Sequence, residues 1–189
     1  MEKHFSWNDP IPQNTTIEGF DLCVPRDHNY TDFLKYSVEV IRSQAVKDCL
    51  NSQSKGNHPN TELQHKHLGR PTHRLRPGQM YRVEFIPHFY TEPPRSSETS
   101  FLLLEKRNAL FVGWHGLLLA YNLHPEKFPR GFCVRSLDLE KQLWIDRNGK
   151  HPMVPSVDIH TTGTMKFFLG TLLRSTGSNV LLLCVTQHV

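Results

Sequence analysis

The sequence has little cysteine and no long apolar run, and each lack removes a class of protein. Its four cysteines are widely spaced, and none forms a CxxC pair of the kind that binds zinc or carries out thiol redox chemistry. The longest apolar stretch, Ala109–Leu123, is interrupted by His115 and Asn122. It also falls short of the roughly 20 apolar residues that a membrane-spanning helix needs. We therefore expect reduced thiols and no membrane-spanning helix.

Motifs that carry catalysis are also missing. The sequence has no glycine-rich phosphate loop, no nucleophile elbow and no pair of carboxylates at catalytic spacing. The N-terminus, Met1–Trp7, has no apolar segment of the kind found in secretory signals, which predicts a cytoplasmic protein. A net charge of +4 permits an anionic partner without requiring one. We predict no cofactor and favour a non-enzymatic protein.

What the chain does have is a change of character near residue 80, within a length that fits a single domain. Residues 1–50 predict an N-terminal arm and a helix packed on the core, and residues 51–79 predict a polar, basic, histidine-rich loop. Within the first part, residues 1–30 look irregular. Apolar residues at three-and-four spacing then predict an amphipathic helix over Thr31–Leu50, with Thr31 and Asp32 at its start.

Residues 80–189 predict an α+β core with a mixed or antiparallel sheet and two short helices. A strand pattern begins at Tyr81, and helix patterns follow over Glu98–Asn108 and Leu117–Leu123. The strand pattern of Met165, Phe167 and Leu169 comes later, and the almost unbroken apolar run Val180–Thr186 indicates a strand that is covered on both faces.

Between the helices and the last strands, Asn148-Gly149 is a strong signal for a two-residue hairpin turn. That turn places Trp144 opposite Met153. Because proline cannot donate a ladder hydrogen bond, Pro152 and Pro155 predict that the returning strand lies at an edge of the sheet.

One strand, two helices and a cluster of strands, with a last strand that can pair with the first, is similar to the C-type-lectin-like fold. Residues 80–189 also resemble a group of uncharacterised bacterial proteins. The motifs that carry this second resemblance are Ser96-Ser97-Glu98, Asn108 to Gly113, Leu143-Trp144-Ile145-Asp146 with Gly149, and Val154-Pro155. The resemblance implies a fold and transfers no activity.

The leading functional hypothesis is a binding module that presents polar loops on a rigid sheet, since such loops are a usual place for recognition. The loops are residues 147–151, 158–164 and 174–179, and the candidate binding residues are Arg174, Ser178, Asn179, Asp158 and His160. Ser156, Asp158 and His160 alternate along the predicted edge strand, so they are expected on one polar face. The partner would be a protein or a small ligand.

The alternative hypothesis is a nucleic-acid-binding protein, or a metal-dependent protein acting on nucleic acids. It would use Arg70, Arg74 and Arg76, which lie in a stretch without a carboxylate between Glu62 and Glu84, together with Asp158 and His160. The same loop carries four histidines, His58, His65, His67 and His73. No cysteine or carboxylate completes a recognised ligand spacing with them, so we predict a solvated loop and no metal.

Overall fold

A computed structural model describes residues 17–51, 68, 70–87, 97–139, 144–145, 152–163, 165–171 and 179–188. These residues form a mixed seven-stranded sheet with α-helices on it, which confirms the predicted α+β class. The helices are α1 (Tyr30–Asn51), α2 (Ser97–Glu105) and α3 (Gly113–Leu123). The strands are β1 (Phe20–Cys23), β2 (Met80–Pro87), β3 (Phe132–Arg135), β4 (Trp144–Ile145), β5 (Pro152–Ile159), β6 (Met165–Thr171) and β7 (Val180–Gln187). Within the described residues, no helix combines the length and apolar character needed to cross a membrane.

Strand β7 lies in the interior of the sheet and is buried on both faces. It pairs antiparallel with β2 and parallel with β3. Leu181, Leu183 and Val185 pack into the larger apolar cluster with residues of α1 and α3, whereas Leu182 and Cys184 pack into a second cluster with Leu104 of α2. The prediction of a strand covered on both faces is therefore confirmed, as is the pairing of the first core strand with the last.

Strand β5 is also interior, so the prediction of an edge strand is wrong. It pairs antiparallel with β3 on one side and with β6 on the other. Strand β4 pairs with β5 on the same side as β3, and Trp144 lies opposite Met153, as predicted. The carbonyl of Pro155 accepts a hydrogen bond from the Ser136 N–H, just beyond the last β3 pair. Pro155 therefore lies between the residues of β5 that pair with β4 and those that pair with β3, so its missing N–H interrupts neither set of pairs.

Two other expectations near the N-terminus are corrected. Residues 20–23 do not belong to an irregular arm, because they form β1 and pair with β2 through alternating buried side chains. The predicted helix begins at Tyr30, but its cap is Asn29, whose Oδ1 accepts the Thr31 N–H at 2.9 Å and the Asp32 N–H at 3.3 Å. Helix α1 packs against β6.

The two core helices have different bounds from those predicted. Helix α2 ends at Glu105 because Asn108 adopts a positive φ of 52°. The Asn108 N–H then bonds the Glu105 carbonyl and the Ala109 N–H bonds the Leu104 carbonyl, which is the Schellman pattern. Helix α3 begins at Gly113, four residues earlier than the predicted Leu117, and it packs against β5. The C-type-lectin-like resemblance and the division into arm, loop and core stay predictions.

Candidate functional site: a basic cleft at the end of the sheet

The segment 70–79 is anchored to the core, although the sequence predicted a solvated loop. Pro71 and Leu75 are buried, and the Gly78 N–H donates to the Val24 carbonyl at 2.9 Å. The Arg76 N–H donates to the Tyr81 hydroxyl, also at 2.9 Å. Because its backbone is tied down at several points, this segment presents its side chains from fixed positions.

Asp138 holds the beginning of the segment. Its Oδ1 accepts hydrogen bonds from the Thr72 N–H at 2.9 Å, from the Thr72 hydroxyl and from the Leu139 N–H at 2.9 Å. Burial raises the pKa of this carboxyl, while the bonds from Thr72 and Leu139 oppose the rise. A Cβ on Gly113 would lie 2.7 Å from the other Asp138 oxygen, and Gly113 has a φ of +48°. Only glycine fits this close approach, because a Cβ would meet both the strained φ and the carboxylate.

His73 is fixed in one tautomer by Phe111. Its backbone N–H donates to the Phe111 carbonyl at 2.9 Å, and its Nδ1 accepts the Phe111 N–H at 2.9 Å. Since Nδ1 accepts, the ring proton must lie on Nε2. His73 therefore presents its Nε2–H to the cleft as a donor.

Together these anchors form a cleft of about 620 Å³ at the end of the sheet where β2 begins and β7 ends. We call it the basic cleft, and its wall includes Arg70, His73, Arg74, Arg76, Tyr81 and Leu110. All three arginines are exposed, and none of the described wall residues is a carboxylate. In the part of the chain that the structure describes, none of these arginines forms an ion pair. The cleft therefore concentrates positive charge in a concave site.

No family model matches the sequence, and no curated protein or solved structure matches it.

Arg74 is the member of the cleft that reaches towards the core. Its guanidinium carbon lies 3.8 Å from the centre of the Tyr30 ring, a cation–π distance. The Tyr30 ring in turn packs against Trp114 and His115, with ring centres 5.7 Å and 5.2 Å away. Burial raises the pKa of Tyr30, and the nearby Arg74 and Arg70 oppose this rise.

The other candidate residues lie elsewhere or outside the described residues. Arg174 and Ser178 are outside them. Asn179, expected at an exposed loop tip, is 1 % exposed, and its carbonyl accepts the Cys133 N–H at 2.9 Å, because it leads directly into the interior strand β7. Asn179 is therefore a structural residue whose side chain a ligand cannot reach without rearrangement.

The predicted polar face of Ser156, Asp158 and His160 is also corrected. Ser156 is fully buried and donates to the Val154 carbonyl at 3.3 Å, because β5 is interior. Asp158 is half-buried between Cys133 of β3 and Lys166 of β6. His160 lies in the turn after β5, where its Nδ1 is 2.9 Å from the Thr162 hydroxyl.

No metal centre is formed by the residues that the structure describes, since no three His, Cys, Asp or Glu side chains among them are arranged to hold an ion. The histidines His58, His65 and His67 lie outside the described residues. The two histidines that do meet are His28 and His115, whose Nε2 atoms are 3.0 Å apart. These two histidines are 87 positions apart, and no local sequence pattern indicated that they pair.

Proposed function

We propose that this chain is a non-enzymatic binding module whose site is the basic cleft and whose ligand is a small phosphorylated molecule. The observation that carries the proposal is the set of three arginines, none of which forms an ion pair with a described residue, held on an anchored segment around a concave space. The binding-module hypothesis is thus retained, while its site moves from the polar loop tips to residues 70–76.

The charge of the cleft supports an anionic ligand. Arg70, Arg74 and Arg76 lie within seven residues of one another, so their guanidinium groups repel one another unless an anion neutralises them. Guanidinium groups donate two parallel hydrogen bonds to phosphate oxygens, and such charge-assisted bonds are about twice as strong as neutral ones. The His73 Nε2–H adds a neutral donor beside them.

The size of the cleft supports a small ligand rather than a polymer. Its volume of about 620 Å³ falls within the roughly 300–1,000 Å³ that is usual for small-molecule sites. Leu110 and Tyr81 supply apolar wall against which the body of a phosphate ester can pack.

The aromatic residues of the site argue against the nucleic-acid alternative. Single-stranded nucleic acids are commonly held by bases that stack on exposed aromatic rings. Tyr81 is only 3 % exposed, and one face of Tyr30 is already covered by Arg74. Neither ring offers a free face at the cleft to a base.

The proposed location is the cytoplasm. Cys23, Cys133 and Cys184 are all free thiols, and reduced cysteines are typical of proteins in reducing compartments.

The test is calorimetric titration of the purified chain with inorganic phosphate at low ionic strength. The decisive variant carries Gln at Arg70, Arg74 and Arg76. A matched control carries Gln at Arg42, Arg107 and Arg130, which are exposed elsewhere on the protein. This control loses the same amount of positive charge as the cleft variant. We expect the cleft variant to lose at least about tenfold in affinity per arginine removed, because each loses a charge-assisted hydrogen bond. The control should stay within about twofold of the wild type.

Equal losses in the two triple variants would mean that binding depends only on net charge, and the proposed site would then be wrong. A single-stranded oligonucleotide that binds much more tightly than phosphate, with a steep dependence on salt, would instead establish the nucleic-acid alternative.

A further inference from the structure

A buried pair of histidines lies next to the basic cleft. His115 of α3 is fully buried, and its Nε2 is 3.0 Å from the Nε2 of His28, which precedes α1 and is half-buried. The ring of Phe33 packs against both histidines. A single proton lies between the two Nε2 atoms, so one ring donates it and the other accepts it.

The remaining nitrogen of His115 makes this pair sensitive to protonation. Among the described residues, neither His115 Nδ1 nor Trp114 Nε1 has a hydrogen-bond partner. When the pair carries an extra proton, both Nδ1 atoms hold hydrogen, so His115 Nδ1–H is a buried donor without an acceptor among the described residues. The site therefore leaves the protonated pair without a full set of hydrogen bonds, which disfavours its charge.

Arg74 connects the pair with the cleft. Its guanidinium stacks on one side of the Tyr30 ring, and His115 packs edge-on against the same ring. Burial lowers the pKa of His115 to about 3, with His28 and Arg74 adding to the effect. Burial also lowers the pKa of His28, while the Asp27 carboxylate opposes this. The charge of Arg74 thus disfavours a proton on the pair.

We infer that an anion bound in the basic cleft and a proton on the His28–His115 pair stabilise each other, so that the module takes up a proton as it binds. This inference rests on the proposed function and adds its regulation. The positive charge of Arg74 repels the protonated pair across the Tyr30 ring. An anion that neutralises Arg74 removes this repulsion. By linkage, the proton must increase anion affinity by the same factor.

The other charged groups around the pair leave this direction unchanged. Arg70 also acts on Tyr30 and has the same sign as Arg74, so a bound anion neutralises it too. Asp138, near the same ring, is held by Thr72 and keeps its place. Asp27 favours the proton on His28, the half-buried member, whereas Arg74 acts on His115, so the charge of the protonated pair, which the Nε2–Nε2 hydrogen bond shares between the rings, is subject to both groups.

His73 also lines the cleft. Its Nδ1 already accepts the Phe111 N–H at 2.9 Å, so its Nε2 is the ring nitrogen that remains for a ligand. A His28→Gln variant leaves His73 unchanged, so proton uptake that this variant abolishes cannot be assigned to His73.

The test is calorimetric titration with sulfate, which does not change its own charge near neutral pH. Titrations at pH 6 and pH 8, each in two buffers with different ionisation enthalpies, give the number of protons taken up. We expect a fraction of a proton per sulfate at pH 6, almost none at pH 8, and an affinity that is about fivefold or more higher at pH 6. NMR titration of the His28 ring should show its pKa rising when sulfate is present.

His28→Gln is the diagnostic variant, because it keeps a polar side chain of similar size and cannot be protonated. It should bind sulfate without proton uptake. His124→Gln, which removes a half-buried histidine beside Glu126, should keep the uptake. Wild-type protein that binds no sulfate at either pH would overturn the proposed function. Binding without proton uptake, uptake that survives His28→Gln, or a His28 pKa that sulfate does not raise would overturn the inference alone.

Discussion

The position of Asp158 in the sheet changes the interpretation of this residue. The sequence suggested a polar face with Ser156 and His160, but β5 is interior and Asp158 is half-buried between two strands. Burial raises the pKa of its carboxyl to about 6, while Lys166 and His160 lower it. The ionised carboxylate is thus only partly compensated, and its charge destabilises the fold near neutral pH.

Asp158→Asn should stabilise the protein at pH 7. The folded-state pKa of about 6 is above the unfolded value of about 3.9. The folded state therefore holds the proton more tightly, and the stability that Asp158 contributes is present below pH 4 and lost as the pH rises through 6. After allowance for solvent screening, the variant should gain about 1–2 kcal/mol at pH 7 relative to pH 4.

Urea unfolding at pH 4 and pH 7 measures this difference. Asp32→Asn, on the exposed side of α1, should show no comparable gain at pH 7. If the free energy of unfolding changed by the same amount between pH 4 and pH 7 in the wild type and in Asp158→Asn, the prediction would be contradicted.

At the scale of elements, the start of α1 depends on a residue that the sequence pattern did not select. Asn29 accepts the N–H groups of Thr31 and Asp32, so it satisfies two of the donors that a helix start leaves free. The sequence indicated Thr31 because any of the polar residues from Asn29 to Asp32 can cap a helix, and only the backbone conformation decides among them.

Asn29→Ala should lower the free energy of unfolding by about 1 kcal/mol, because the cap is lost. Asn29→Asp should restore most of the stability, since its carboxylate accepts the same N–H groups and favours the helix N-terminus. Thr31→Ala provides the comparison, and it should cost much less. Chemical denaturation of the three variants ranks them, and an equal loss for Thr31→Ala would show that the cap has been misassigned.

The elements that the sequence predicted correctly are those with long patterns. The spacing of Leu34, Val38 and Ile41 fixed α1, and the unbroken run from Val180 fixed β7. Strand β1 was missed because four residues, Phe20–Cys23, hold too few alternations to show a period. The position of β5 was predicted wrongly because Pro155 lies between the residues that pair with β3 and those that pair with β4. This placement depends on how the two partner strands are spaced along β5.

The site was predictable only in part. The sequence identified Arg70, Arg74 and Arg76 as a group without nearby carboxylates, and they do line one cleft. The residues that hold them, Asp138 and Tyr81, lie in other elements and act through hydrogen bonds to backbone groups. No local sequence pattern indicates such bonds, because the sequence alone does not distinguish an aspartate that is buried in the fold from one that is exposed.

For the whole molecule, β7 is the element on which the other parts depend. It joins the β1–β2 side of the sheet to the β3–β5–β6 side, and its alternate residues complete the apolar clusters on the two faces. Its last residues also border the basic cleft, and the Val185 carbonyl accepts the Leu110 N–H at 2.7 Å. Opening β7 would therefore disrupt both clusters and the cleft together.

Amide hydrogen exchange should rank the strands accordingly. Residues 181–185 all pair with β2, residues 181 and 182 also pair with β3, and all five are buried in the apolar clusters, so their amides should exchange only when the whole protein unfolds. The amides of β1, which pairs with β2 alone among the described strands, should exchange through local opening at a much lower free energy. Mild denaturant provides the internal check, because it accelerates exchange strongly for global unfolding and weakly for local opening. Amides of β1 that exchange as slowly as those of β7, with the same dependence on denaturant, would mean that the sheet opens as one unit and that β7 has no special role.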